Sequence, residues 1–348
     1  VAELWFAIVS LMLTAYVVLD GFDLGAGALH LFVARTDQER RQVLAAIGPF
    51  WHANEVWLLA AGGALFVAFP RVLASGLSGF YFAFFLVLWM LILRGAAIKF
   101  RSDLDHPLWR AAWDAAFAGA SLLLPVLFGA AFGNLVRGLP LDAEGWFSLP
   151  LFTDFSARNP VGILDWYTVL AGVFALITIA GHGATFLAWK SDGPVRERSQ
   201  NAARWLYGAV VVLWPFLTVV TWLVDAPMLA RLPGRPLAWL SLLLAVAGLV
   251  GVRRGVRLGR PLTAFLGSCA FLAGMLAATA ACVFPVMLRA IDAEGASLTV
   301  QNASVPAASL VTALSWWVIG APLAIAYFVI LFRLHRGQLV AAEGHEGY

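Results

Sequence analysis

Residues 5–33 read WFAIVSLMLTAYVVLDGFDLGAGALHLFV, an apolar run that carries two carboxylates and a histidine in its second half. About 20 apolar residues cross the roughly 30 Å hydrocarbon core of a bilayer, because a helix rises about 1.5 Å per residue. Asp20, Asp23, Gly27 and His30 are spaced 3, 4 and 3, which at about 100° per residue sets all four within about 80° of one helical face. The stretch is therefore a transmembrane helix with one polar stripe. Acidic Glu3, and apolar character that resumes after Asp23, read as a retained helix rather than a cleaved signal.

Eight more apolar runs follow, at about 44–69, 74–99, 112–136, 161–189, 203–225, 236–252, 261–287 and 308–333. Of the 348 residues, 61% are hydrophobic and 12% charged, whereas a soluble domain carries about 25% charged residues. That balance excludes a soluble enzyme, a disordered or collagenous chain and a nucleic-acid module. The fold class is all-α: a polytopic integral membrane protein of nine transmembrane helices, with residues 1–348 forming one transmembrane domain. Connections are too short for a separate folded domain of about 50 residues, so function resides in the membrane. Cys269 and Cys282 lie about 20 Å apart along one helix and cannot pair with each other.

Sixteen of the 23 Lys and Arg residues fall in alternate loops and the C-terminal segment, on one side of the membrane. By the positive-inside rule that side is the cytoplasm, which places the N-terminus outside and the C-terminus, with Arg333 and Arg336, inside. Most of the 15 Trp residues stand near span ends as interfacial anchors. Gly25-Ala26-Gly27 near the end of the first span is echoed by Gly181-His182-Gly183 near the end of the fifth. The echo suggests four-helix repeats over about 5–136 and 161–287, with a ninth helix at about 308–333.

Counted from the outer end, Asp20 and Asp23 lie about 22 and 27 Å along their helix. His52 and Glu55, one turn apart on the second run, lie about 12 to 17 Å in from the cytoplasmic end, and Arg94 on the third run returns to the same half. Three consecutive spans thus converge on one layer, where an unpaired charge costs about 2.5–3.5 kcal/mol. Two readings fit: a salt-bridge lock around Arg94, or a proton-conducting cavity formed by Asp20, Asp23, His52, Glu55 and Arg94. Histidines His30, His52 and His182 admit a third idea, axial haem ligation, but spacing sets no two of them face to face. Lys99 and Lys190 stand at span ends, which disfavours a buried Schiff base. Cys-rich metal motifs, phosphate-binding glycine motifs and nucleophile elbows are absent from the sequence.

The stripe Asp20-Gly21-Phe22-Asp23-Leu24-Gly25, then Trp51-His52-Ala53-Asn54-Glu55-Val56-Trp57 and Gly62-Gly63-Ala64-Leu65-Phe66, closely resembles subunit II of the cytochrome bd quinol oxidases, a family with cyanide-insensitive members. The likeness continues through Gly79-Phe80-Tyr81, Arg94, Phe100-Arg101-Ser102, Trp113-Asp114, Gly129-Ala130-Ala131-Phe132-Gly133-Asn134 and Ser297-Leu298-Thr299-Val300, and so covers essentially the whole chain. It implies a subunit of a respiratory oxidoreductase that oxidises quinol and reduces dioxygen to water in the bacterial cytoplasmic (inner) membrane. Subunit I, the heterodimer partner, would hold haem b and haem d. This chain would bind no haem, no metal and no catalytic group, and would support assembly and proton and oxygen access. Small single-helix accessory subunits, membrane lipid and quinol are the other expected partners, with a structural quinone or lipid as a candidate ligand and no nucleic acid. The resemblance assigns Asp23 to proton entry and Trp57 to oxygen access. Two departures stand out: His52 replaces an expected Asp, and Gly95 replaces an expected Pro, which removes a kink-former beside Arg94.

A reading from another class is a proton-coupled transporter whose acidic stripe binds the coupling ion. Such sites usually lie near the midplane on broken helices, whereas these acids are displaced toward one side.

Overall fold

A computed structural model describes residues 1–158, 160–291 and 295–337. The chain is helical nearly throughout: α1 (Ala2–Val33), α2 (Asp37–Ile47), α3 (Trp51–Ala68), α4 (Pro70–Gly79), α5 (Tyr81–Phe100), α6 (Pro107–Arg137), α7 (Trp166–Lys190), α8 (Gly193–Val224), α9 (Ala226–Ala230), α10 (Pro236–Arg257), α11 (Pro261–Val283), α12 (Val300–Ala303) and α13 (Ala307–Leu334). A two-stranded antiparallel ribbon, β1 (Val286–Leu288) with β2 (Leu298–Thr299), stands between α11 and α12. Among the described residues eight helices are long and apolar enough to cross a membrane: α1, α5, α6, α7, α8, α10, α11 and α13. This is a polytopic all-α membrane protein.

The second apolar run divides differently from expectation. Thr36 caps α2 by accepting from the Glu39 N–H while the Glu39 carboxylate accepts from the Thr36 N–H, the reciprocal capping box that starts a helix. Pro49 lacks the N–H that would carry α2 onward, so residues 48–50 turn and α3 begins anew at Trp51. The α3 helix is therefore 18 residues long, with polar His52, Asn54 and Glu55 in its first turns, and it falls outside the eight. The third run is divided too: α4 starts at Pro70 and α5 at Tyr81. As the missing proline implies, α5 then runs unbroken through Gly95.

Packing centres on α1 and α7. The α1 helix lies against α3, α6 and α7, and α7 against α6, α8 and α11, while α5 pairs with α6 and α10 with α11. The two glycine motifs meet at the α1–α7 crossing, where a Cβ on Gly25 would overlap the Ile179 carbonyl and a Cβ on Gly183 would overlap the Gly25 backbone. Only small residues let two helix backbones approach so closely. At the α2 end, Phe22, Phe50, Phe186 and Phe265 form an aromatic core. At the opposite end the connections fold onto the bundle: Leu139 bridges Ala290, and Leu141, Phe147, Leu288 and Leu298 bury against Trp5 and Phe69. The α13 helix lies at the edge against α3 and α1, with Trp316, Ile319 and Leu323 exposed.

An electrostatic clasp holds α2 to the bundle. Arg198 of α8 donates to both Glu39 oxygens at 2.8 and 2.9 Å and to the Val33 carbonyl. Those bonds hold the Glu39 carboxyl down from 4.5 to about 2. Because the folded value is depressed, the clasp contributes its full stability above about pH 4.5 and loses it as pH falls toward 2. Hydrogen exchange of the α2 amides should accordingly be slow at neutral pH and quicken through that acid window. Arg198→Gln should show fast exchange already at pH 7, and an α2 equally protected in the variant would refute the clasp.

Candidate functional site

Three helices deliver the polar stripe to one place. Asp20 and Asp23 of α1, Asn54 of α3 and Arg94 of α5 all have zero exposure. Arg94 Nη2 donates to Asp20 Oδ1 at 2.8 Å and stands 3.7 Å from Glu55 Oε1. Asn54 Nδ2 donates to Asp23 Oδ2 at 2.7 Å and to the Leu19 carbonyl at 3.0 Å. One guanidinium thus faces a directly paired acid and a more distant one, while the third acid has a neutral amide. The Glu55 side chain is 25% exposed, so the buried layer reaches the bundle surface through it. Several buried polar atoms here have no partner: Asp20 Oδ2, Asp23 Oδ1, Asn54 Oδ1, and Nε and Nη1 of Arg94.

Of the five residues expected in this layer, the structure unites four and leaves out His52. Its side chain is exposed on the first turn of α3. Because α3 starts at Trp51 and not near residue 44, His52 and Glu55 both lie in its first two turns, and His52 takes an outward face of the helix. Asn54 holds the inward position instead. Trp57 is half-buried between α3 and α13, 5.8 Å from the Phe328 ring, with its indole N–H unpartnered.

The histidines go to separate places. His30 Nε2 lies 2.6 Å from Asp114 Oδ1, and Asp114 also accepts from Arg101 Nε at 2.6 Å and Arg40 Nη1 at 3.0 Å. Arg101 reaches on to Asp37 at 2.7 Å. Burial alone would raise the Asp37 carboxyl, yet the hydrogen bonds from Arg101 and Arg41 hold it below its ordinary value. This network ties the ends of α1, α5 and α6 to α2. The sequence signal was an acid, Asp114, two turns into an apolar helix; its partners come from three other helices, which spacing does not reveal. His182 lies 2.8 Å from the Val18 carbonyl and 2.7 Å from Ser268 Oγ, joining α7 to α1 and α11.

A cavity of about 260 Å³ opens between α1, α6, α7, α8 and α11, walled mainly by apolar side chains including Phe128, Phe174, Trp214 and Met275. Two hydroxyls on its wall, Tyr16 and Thr178, are buried without a partner.

A multi-pass helical bundle with a charged layer buried inside it defines an integral membrane protein. The family model for cytochrome bd terminal oxidase subunit II matches residues 1–335, and the chain belongs to that family. It is similar to the probable cytochrome oxidase subunit 2 of Haemophilus influenzae, 28% identical over 97% of this chain and 95% of that one. It is 36% identical to the cytochrome bd-I ubiquinol oxidase subunit 2 of Escherichia coli K12 over 63% of this chain, a match that spans 56% of that subunit's length. The cytochrome bd ubiquinol oxidase subunit 2 of Bacillus subtilis is likewise 36% identical, over 60% of each chain. The bd oxidase structure from Geobacillus thermodenitrificans shares the fold, with a TM-score of 0.74 at 16% identity over 96% of this chain and 98% of the other. The protein is thus a subunit of a membrane oxidoreductase complex, and with the family shown, nothing observed favours the transporter reading.

Proposed function

We propose that this chain is the haem-free subunit II of a quinol:dioxygen oxidoreductase, paired with a haem-bearing subunit I, and that it supplies a proton route from the cytoplasm. The observation that carries the reading is the Asp23, Asp20, Arg94, Glu55 layer, in which the first three are buried and Glu55 is partly exposed. Protons for water enter at Glu55, beside His52 at the mouth, and exchange with the acids inside. Arg94 sets the electrostatics. Trp57, between α3 and α13, lines oxygen access toward the partner. Haem b and haem d belong to subunit I, in keeping with the engagement of His30 Nε2 by Asp114 and of both His182 ring nitrogens by Ser268 and the Val18 carbonyl. The isolated chain is not catalytic.

The same reading has nine crossings, with α3 as the ninth, an outer N-terminus and a cytoplasmic C-terminus. The arginines of the α2 end support that orientation. Two four-helix units, about 5–136 and 161–287, are supported by matched packing: α1 against α3 and α6 mirrors α7 against α8 and α11, and α5 with α6 mirrors α10 with α11. The exposed apolar faces of α5 and α13 suit lipid, subunit I or single-helix accessory subunits, and the central cavity suits a structural quinone or lipid.

The test is Asp23→Asn in the assembled complex. Losing a positioned proton-transfer group costs roughly a hundredfold in rate, so quinol-driven oxygen consumption and charge separation should drop steeply with haem content unchanged. Glu55→Gln should slow turnover as well, and His52→Asp should be tolerated, because the ring lies outside the buried layer. Full turnover and charge separation in Asp23→Asn, Glu55→Gln and His52→Ala, singly and combined, would reduce the layer to a helix lock.

A further inference from the structure

Tyr16 lies one turn before Asp20 on α1, buried at 4% exposure, with its ring edge-on to Phe128. Positions i and i+4 of a helix are neighbours. The ring belongs to the wall of the central cavity, yet the side chain interacts electrostatically with Asp20, Arg94 and Glu55. No hydrogen bond of ordinary length satisfies its hydroxyl or the second oxygen of Asp20, yet the two side chains interact as hydroxyl and carboxylate. A buried donor and a buried acceptor, both unmet and one turn apart, are complementary: a direct bond or one bridging water satisfies both, and leaving either unmet is costly.

The consequence concerns which acid carries the proton. With Arg94 on Oδ1 and the Tyr16 phenol one turn from the unmet Oδ2, Asp20 stands between a guanidinium and a hydroxyl donor. Asp23 is differently placed: its partner is the neutral Asn54 amide, its other oxygen is unmet, and no ion pair to it is found among the described residues. A single guanidinium cannot balance three carboxylates, and Glu55 alone of the three has access to the surface. The groups facing the acids are Tyr16 on α1, Asn54 and Glu55 on α3 and Arg94 on α5; His182 of α7 is turned to the Val18 carbonyl and Ser268.

We propose that Tyr16 is a positioning residue that holds Asp20 as the fixed counter-ion of Arg94, and so leaves Asp23 as the acid that takes up and releases the proton. The exchange makes and breaks one O–H bond on an Asp23 oxygen, with water as donor and acceptor, while Asn54 keeps its bond to the carboxyl group. The inference rests on the proton-route reading, and its test separates the two. Infrared difference spectroscopy of the assembled complex should show a protonated-carboxyl C=O band that disappears in Asp23→Asn. Tyr16→Phe retains the ring and should assemble with full haem content; because a lost hydrogen bond to a charged group is worth about one pH unit or more, a second carboxyl band should appear and the pH–rate profile should move by that amount. A band that survives Asp23→Asn, or a Tyr16→Phe complex with wild-type bands and profile, overturns the proposal. Should Tyr16→Phe fail to assemble, the Asp23→Asn band decides. Loss of the band in Asp23→Asn with turnover intact would overturn the proton route itself.

Discussion

Arg94→Met is expected to prevent accumulation of the assembled complex. The change leaves Asp20, with zero exposure, without the cation that pairs with it at 2.8 Å. Removing one partner of a buried ion pair costs about 3–5 kcal/mol, a large part of the roughly 5–15 kcal/mol that holds a domain folded. Replacing both charges by apolar residues of similar volume is far cheaper, because no uncompensated charge remains buried. The double variant Arg94→Met with Asp20→Leu should therefore recover much of the complex, read as haem content in a mild detergent extract. It should not recover turnover, since the electrostatics of the layer are gone. Wild-type accumulation and thermal stability in the single variant would show that the pair carries no structural weight. A double variant that turns over normally would show that it carries no functional weight.

The layer around Arg94 was legible because helix periodicity and bilayer thickness each fix one coordinate. Spacing on α1 put Asp20 and Asp23 on one face, and counting rise per residue put Glu55 and Arg94 at the same depth, where cost in lipid forces charges together. His52 is the exception: within the same turn as Asn54 and Glu55 it takes an exposed face, and α3 starts later than the apolar run implies. An apolar run starting at 44 hides the break at Pro49, since Leu44, Ala45, Ala46 and Ile47 are as apolar as a span while forming the end of α2. The capping box at Thr36 and Glu39 was the available signal that a separate helix begins there. Hydropathy also misses Asn54, which is uncharged and cheap enough to pass as one polar residue in a span, though it is the partner of Asp23. The Asp114 network was less accessible still. His30 and Asp114 lie on α1 and α6, Arg40 on α2 and Arg101 just past the end of α5, and one-dimensional spacing carries no information on which helices are neighbours. Similarly, the connections around Leu139 and Ala290 read as loops because their order comes from Leu139 pairing with residues about 150 positions away.

The glycine echo did contain such information, because each motif marks where a helix can be approached. Gly25→Val and Gly183→Val should each abolish the folded subunit. A Cβ on Gly25 would lie 2.7 Å from the Gly183 nitrogen and would overlap the Ile179 carbonyl oxygen; one on Gly183 would overlap the Gly25 carbonyl carbon and the Ala26 nitrogen. Overpacking against side chains costs about 1–3 kcal/mol because rotamers and neighbours can yield. Here backbone meets backbone, which cannot yield without moving α1 or α7 as a whole. Such a displacement would spread. It would break the bond between His182 and the Val18 carbonyl and would shift Asp20 and Asp23 away from Arg94 and Asn54, which are held by α5 and α3. Gly62→Ala is the contrasting change: a Cβ there meets nothing within 4 Å, and alanine favours a helix by about 1 kcal/mol over glycine, so stability should hold or rise slightly. Haem content and thermal stability of the extracted complex measure both. If Gly183→Val accumulates as Gly62→Ala does, α1 and α7 do not cross at these glycines, and the central packing described for the bundle is wrong.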